Sequence, residues 1–138
     1  MRPVVTPPRI WYKIKMKREE IYFISDAHLG FQSPRREERE MILLEFLSSI
    51  SGRAGKLFIV GDLFDFWIEY KWAIRPDYFS ALHSLKNLID SGTRVHYCLG
   101  NHDFAIGDFI AKTIGITIHK NGYRGVEQGK KMLVFHGE

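Results

Sequence analysis

With 138 residues, 45% of them hydrophobic and 14% aromatic, the chain is long enough to bury a real core, which excludes a disordered or fibrous protein. The formal charge of +4 sits in the first twenty residues, where Arg2, Arg9, Lys13, Lys15, Lys17 and Arg18 meet only Glu19 and Glu20, and the remainder carries fourteen basic and fourteen acidic residues. No domain-wide positive field therefore argues for nucleic acid as the main partner, the single Cys98 excludes an internal disulfide and makes a reducing, cytoplasmic setting the expectation, and no run approaches the roughly eighteen to twenty apolar residues of a membrane span.

Residues 1–18 form a basic extension that holds three of the five prolines, and a second possible start lies at Met16. Its composition predicts loose order. The stretch "RIWYKIKMKR" also has the basic and aromatic character of a peripheral contact with anionic lipid. "IYFIS" at 21–25 reads as a strand that ends in "DAHLG". Residues 35–50 read as a helix whose Met41, Leu44, Leu47 and Ile50 share one side. "KLFIV" at 56–60 is a second buried strand, ending in "GDLFD". A helix fits 77–91, started by Pro76 and stopped by Gly92, with Phe79, Leu82, Leu85 and Ile89 on its apolar face. "RVHYCL" at 94–99 is the third strand, followed by "GNHD". A short helix near 108–113, an edge strand at 116–119, a turn at Asn121–Gly122 and a strand at 131–135 complete the order.

Strands alternating with helices predict an α/β fold around a sheet that is at least partly parallel. Ligand sites in such sheets lie at the carboxyl ends of the strands. One Asp or His in that position is ordinarily a turn residue or a helix cap. Here the pattern recurs at four strand ends: Asp26 and His28, Asp62 and Asp65, Asn101 with His102 and Asp103, and His136. The donors are hard oxygens and imidazole nitrogens without cysteine, which suits manganese, iron, zinc or magnesium better than a structural thiolate zinc. They are too many for one ion with an open position, and an aspartate can bridge. A two-metal site, with ions about 4 Å apart that activate water and stabilise an in-line displacement at phosphorus, is the natural hypothesis. His83, His96 and His119 lie within a helix or strands and take no chemical role.

In order and spacing, DAH at 26–28, GDLFD at 61–65, GNHD at 100–103 and HG at 136–137 resemble the motif blocks of calcineurin-like metallophosphoesterases. The resemblance runs from about Ile21 to the end. It implies an αββα sandwich and a di-metal hydrolase of a phosphoric ester or pyrophosphate. Asp26 and His28 would hold the first metal, Asp62 would bridge, and Asn101 and His136 would hold the second. His102 would protonate the leaving group or stabilise the transition state, with Asp103 orienting its imidazole. Asp65 fits an outer position that fixes His28 or the loop. A metal-free scaffold of the same fold would carry degraded ligand positions, whereas each of these is present. The resemblance also implies two later histidines and a second half of the sheet sandwich, so residues 19–138 are expected to be the N-terminal part of such a domain and to hydrolyse little by themselves.

Within the superfamily, "SDAHLG" followed by "VGDLFDFWIEY" is similar to bacterial UDP-2,3-diacylglucosamine hydrolases. That similarity implies cleavage of a pyrophosphate in a nucleotide-sugar-lipid during lipid A synthesis at the inner membrane. Phe64, Phe66, Trp67 and Tyr70 would then form an aromatic wall near the site, with Trp67 toward the substrate, or else pack in the core. The chain departs from the best-known branch, which has Arg where this one has His102. Other metallophosphodiesterases or phosphatases acting on nucleotides or phosphoproteins are the alternative reading.

Overall fold

The computed structural model describes residues 19–70 and 73–137. The basic extension at 1–18 lies outside the described residues. Apolar runs and the helices between them produce β1 (Glu20–Ile24), α1 (Arg36–Ile50), β2 (Ala54–Val60), a 3-10 turn (Pro76–Tyr78), α2 (Phe79–Asp90), β3 (Arg94–Cys98), a π-helical turn (Phe109–Ile114), β4 (Thr117–His119), β5 (Tyr123–Glu127) and β6 (Lys130–Val134). Strands β1 to β4 form one parallel sheet in sequential order, and β5 and β6 form a separate antiparallel pair.

Sequential order has a consequence for the layers. Right-handed crossovers that all advance in one direction put every intervening helix on the same face of the sheet. Side chains alternate along each strand, so Leu57, Ile59, Val95 and Tyr97 join α1 and α2 in the main core, while Phe58 and Cys98 face the other way and pack with Val134 of β6. The sheet is therefore covered by helices on one side and by the β5–β6 hairpin on the other, an α/β layering in line with the α–β half of the sandwich that the motif resemblance implies.

Several expectations are corrected. The core takes Leu43, Leu47 and Ile50 from α1, leaving Met41 at 59% exposure, because two overlapping stripes satisfy the helical period and only contact selects one. In α2 the buried residues are Ala81, Leu82, Leu85 and Leu88, while Phe79 is exposed and stacks on His83. The turn expected at Asn121–Gly122 is present, with Gly122 at a φ of 80°, but the sequence reading lacks the strand beyond it. That strand is β5, and the reversal into β6 occurs at Gln128 and Gly129, whose φ values of 51° and 77° match a two-residue turn with both central residues left-handed. The aromatic wall divides: Phe64 and Trp67 are in the core at 0% and 1% exposure, and Phe66 and Tyr70 are at the surface.

Candidate metal centre

At the carboxyl end of the parallel sheet the chain leaves β1, β2 and β3 in adjacent turns. Beyond β1, the Asp26 N–H donates to the Gly61 carbonyl and the His28 N–H to the Asp62 carbonyl, so the first two turns run side by side. Asp26, His28 and Asp62 have φ values of 53°, 44° and 53°, the left-handed region that non-glycine residues seldom occupy. Three such residues at one rim hold backbone strain of order 1–3 kcal/mol each, which persists only where surrounding structure imposes it. This clustering coincides with the strand-end motifs.

The side chains converge on Asp62, itself buried. Its Oδ2 lies 3.8 Å from His28 Nε2 and 3.5 Å from His136 Nε2, and Asp26 Oδ1 lies 3.6 Å from His28 Nε2 and 4.0 Å from His136 Nε2. Two groups of potential ligand atoms follow, each within 4.8 Å: His28, Asp62 and His102, and Asp26, Asp62 and His136. Asp62 is the shared member of both. Asp26 lies between the two imidazoles of His28 and His136, nearer His28 than His136, and the His28 and His102 rings meet edge to face at 4.9 Å. Asn101 is exposed on the same loop, one residue before His102.

His102 and His136 each commit one ring nitrogen to a backbone carbonyl. His136 Nδ1 donates to the Val60 carbonyl at 3.0 Å, which directs the Nε2 lone pair toward Asp26 and Asp62. Asp65 Oδ1 lies 3.3 Å from His28 Nδ1, an ion-pair contact on that side of the ring. His102 Nδ1 bonds the backbone carbonyl of Asp65 at 2.7 Å, and its remaining nitrogen is unengaged by that bond. That carbonyl, together with the nearby carboxylates of Asp62, Asp65 and Asp103, raises His102 above the usual histidine pKa against the opposing effect of burial. The Val60 carbonyl does likewise for His136.

Asp103 meets other partners than the imidazole of His102. Fully buried, its Oδ1 accepts from the Tyr97 hydroxyl at 2.7 Å, and its Oδ2 accepts from the backbone N–H groups of Gly100 at 2.7 Å and Asp62 at 2.8 Å. Trp67 packs against Phe64, Tyr78 and Phe109, so it supports the loop from behind rather than facing the rim. Two contributors escaped the sequence reading. Tyr97 lies on the core-facing side of β3, where a buried phenol requires a polar partner, and that requirement was the available signal. Glu69 accepts from the backbone N–H groups of Gly107 and Phe109 and from the Trp67 indole, pinning the far end of the loop that carries Asn101 to Asp103.

The donor set fits divalent cations. Two carboxylates and three imidazoles are gathered without a cysteine or a lysine among them, an arrangement whose negative charge a cation would offset. Backbone also makes room for it: a Cβ on Gly61 would run into the His136 ring, and one on Gly100 would run into the Asp62 carboxylate.

Comparison with known proteins points the same way. The family model described as calcineurin-like phosphoesterase matches residues 20–138. A UDP-2,3-diacylglucosamine hydrolase of Porphyromonas gingivalis is 34% identical over 124 residues, covering 88% of this chain and 47% of that protein. Proteins of the same name from Neisseria meningitidis serogroup B and Haemophilus influenzae are 37% and 35% identical, each covering 85% of this chain and 48% of the relative. The chain thus spans about half the length of the curated relatives it matches. A crystal structure of a protein of unknown function from Aquifex aeolicus superposes with a TM-score of 0.57 at 22% identity, over 85% of this chain and 60% of that one, a likeness of fold.

Proposed function

Because this chain belongs to the calcineurin-like phosphoesterase family, we propose that it is a metal-dependent phosphoesterase with a site built on Asp26, His28, Asp62, Asn101 and His136. The observation that carries the proposal is the convergence of two donor groups on one buried aspartate at the carboxyl ends of parallel strands. Two divalent ions, manganese in our reading with iron, zinc or magnesium as alternatives, would supply an activated water and neutralise the phosphoryl oxygens. In this reading residues 19–138 form the N-terminal part of the catalytic domain.

The chain's own groups have defined tasks. His136 presents Nε2 because its Nδ1 is held by the Val60 carbonyl, and His28 presents Nε2 toward Asp26 and Asp62 with Asp65 beside its Nδ1. His102 holds Nδ1–H on the Asp65 carbonyl, so the proton it gains enters at Nε2, where it is available to the leaving oxygen. Its raised pKa increases the protonated fraction at neutral pH. Asp65 and Asp103 act as positioning residues.

For the substrate we propose a UDP-linked diacylglucosamine cleaved at its pyrophosphate, the compound in the relatives' names. Phe66, 44% exposed and edge-on to Phe104, gives the loop beside Asp65 an apolar surface suited to a lipid. Such a substrate would bring the protein to a membrane surface, and no helix among the described residues is long and apolar enough to cross one. A second reading, a phosphodiesterase or phosphatase acting on nucleotides or phosphoproteins, is favoured by His102 at the position where the best-known lipid branch has Arg. Turnover of UDP-2,3-diacylglucosamine, cyclic nucleotides and aryl monoesters with Mn2+ separates the two. It is measured on residues 1–138 and on a chimera completed with the C-terminal half of the P. gingivalis relative. Absence of hydrolysis of every substrate by both proteins would sink the enzyme assignment.

A further inference from the structure

The turn that presents Asp62 is held by a buried circuit in which one side chain lies outside every motif. Strand β2 ends at Val60, so the N–H groups of Asp62 and Leu63 have lost the sheet ladder as a partner. Asp62 N–H is taken by Asp103 Oδ2, and Leu63 N–H by the Tyr97 hydroxyl at 3.0 Å. That hydroxyl donates onward to Asp103 Oδ1 at 2.7 Å. Asp62 Oδ1 in turn accepts the His102 N–H at 2.9 Å, which leaves Oδ2 as the oxygen facing His28 and His136. Tyr97 and Asp103 are both 0% exposed, so no solvent can replace a missing partner.

We propose that the Tyr97 hydroxyl is a positioning group for the metal site: by accepting from Leu63 and donating to Asp103 it locks the left-handed Asp62 turn to the loop bearing Asn101 and His102, and so fixes which oxygen of Asp62 points at the ligand cluster. The proposal rests on the metal-site reading above. Tyr97 acts at second hand, since its hydroxyl bonds Asp103 and the Leu63 backbone and reaches the cluster only through them. A residue that merely filled the core would need its ring and not its oxygen.

The test compares Tyr97→Phe with Thr93→Val. The latter removes a buried hydroxyl that donates to the Ala54 carbonyl at 2.9 Å, at the opposite end of the strands. Mn2+ affinity is measured by titration calorimetry, and backbone amide exchange is followed on the metal-free chain. Tyr97→Phe is expected to raise the Mn2+ dissociation constant about tenfold or more, the scale of an outer-shell ligand partner. It should also quicken exchange at Asp62, Leu63, Gly100 and His102 selectively, whereas Thr93→Val lowers the melting temperature without either effect. Equal Mn2+ affinities in the two variants would overturn the proposal. Absence of Mn2+ uptake both by the wild-type chain and by its chimera with the C-terminal half of the P. gingivalis relative would refute the metal-site reading in its own right, and the amide data then decide alone: selective loss of protection upholds the positioning role, and unchanged protection ends it. Should Tyr97→Phe fail to fold, the wild-type amides of Asp62 and Leu63 still discriminate, since the circuit requires them to exchange as slowly as those of β2 and β3.

Discussion

Replacing His96 with Phe should remove much of the acid sensitivity of this fold. His96 projects from β3 on the face covered by the hairpin, stacked on Phe58 at 4.8 Å and tilted against Tyr123 at 5.5 Å. Its Nδ1 lies 2.9 Å from His119 Nε2 on β4, and its Nε2 is buried with no hydrogen-bond partner among the described residues. A lone pair left unpaired there is less costly than an N–H, so the neutral pair is best satisfied with His96 Nδ1–H donating to His119. A second proton, on Nε2, meets no acceptor among the described residues. Burial, then His119, Lys56 and Arg94, with only Glu127 opposing, lower the His96 pKa from 6.5 to about 4, and burial lowers His119 as well. The folded state thus binds its proton later than the unfolded chain does. Stability is at its full value above pH 6.5, is lost as pH falls through the window between 6.5 and about 4, and loses no more from this group below that. Linkage over that shift gives a loss of about 2 kcal/mol between roughly pH 7.5 and pH 5. Urea unfolding midpoints at the two pH values, converted with a common slope, measure it. His96→Phe keeps a flat ring against Phe58 and removes both nitrogens, so its pH-dependent loss should be smaller than the wild type's by most of that amount. Equal losses in the two proteins would refute the reasoning.

Other perturbations act on the centre itself. Asp62→Asn removes the carboxylate common to both donor groups and should weaken Mn2+ binding by more than the roughly 10–100-fold typical of an outer-shell partner, measured by calorimetry. Gly61→Ala places a Cβ against the His136 ring at a φ of 77°; it should cost about 1–2 kcal/mol in unfolding free energy from the backbone alone and also reduce Mn2+ affinity. Asp103→Asn is best accommodated with its oxygen toward the Asp62 and Gly100 N–H groups, which leaves the Tyr97 hydroxyl hydrogen without an acceptor in a site closed to water. A destabilisation of about 1–3 kcal/mol in denaturant unfolding is expected.

The amino-acid sequence alone determined the alternation of strands and helices, the parallel sheet and the strand-end positions of Asp26, His28, Asp62, Asn101, His102 and His136. These are local properties: period, turn chemistry and residue type are set within a few neighbours. Partner choice is not local. That Asp103 holds the Asp62 turn and Tyr97 instead of the His102 ring depends on contacts up to 41 residues apart, and so does the commitment of one Asp62 oxygen to the His102 backbone. The division of the aromatics, with Phe64 and Trp67 buried and Phe66 and Tyr70 exposed, was likewise decided by which side of one loop faces α2 and the π-helical turn. Strand β5 escaped because it lies between two turns, at Asn121–Gly122 and Gln128–Gly129, and only pairing with β6 shows the short segment between them to be a strand. Residue type thus fixed which atoms were available to a metal. Their grouping around Asp62 came from packing, because burial turns every unpaired donor into a constraint on where its neighbours must lie.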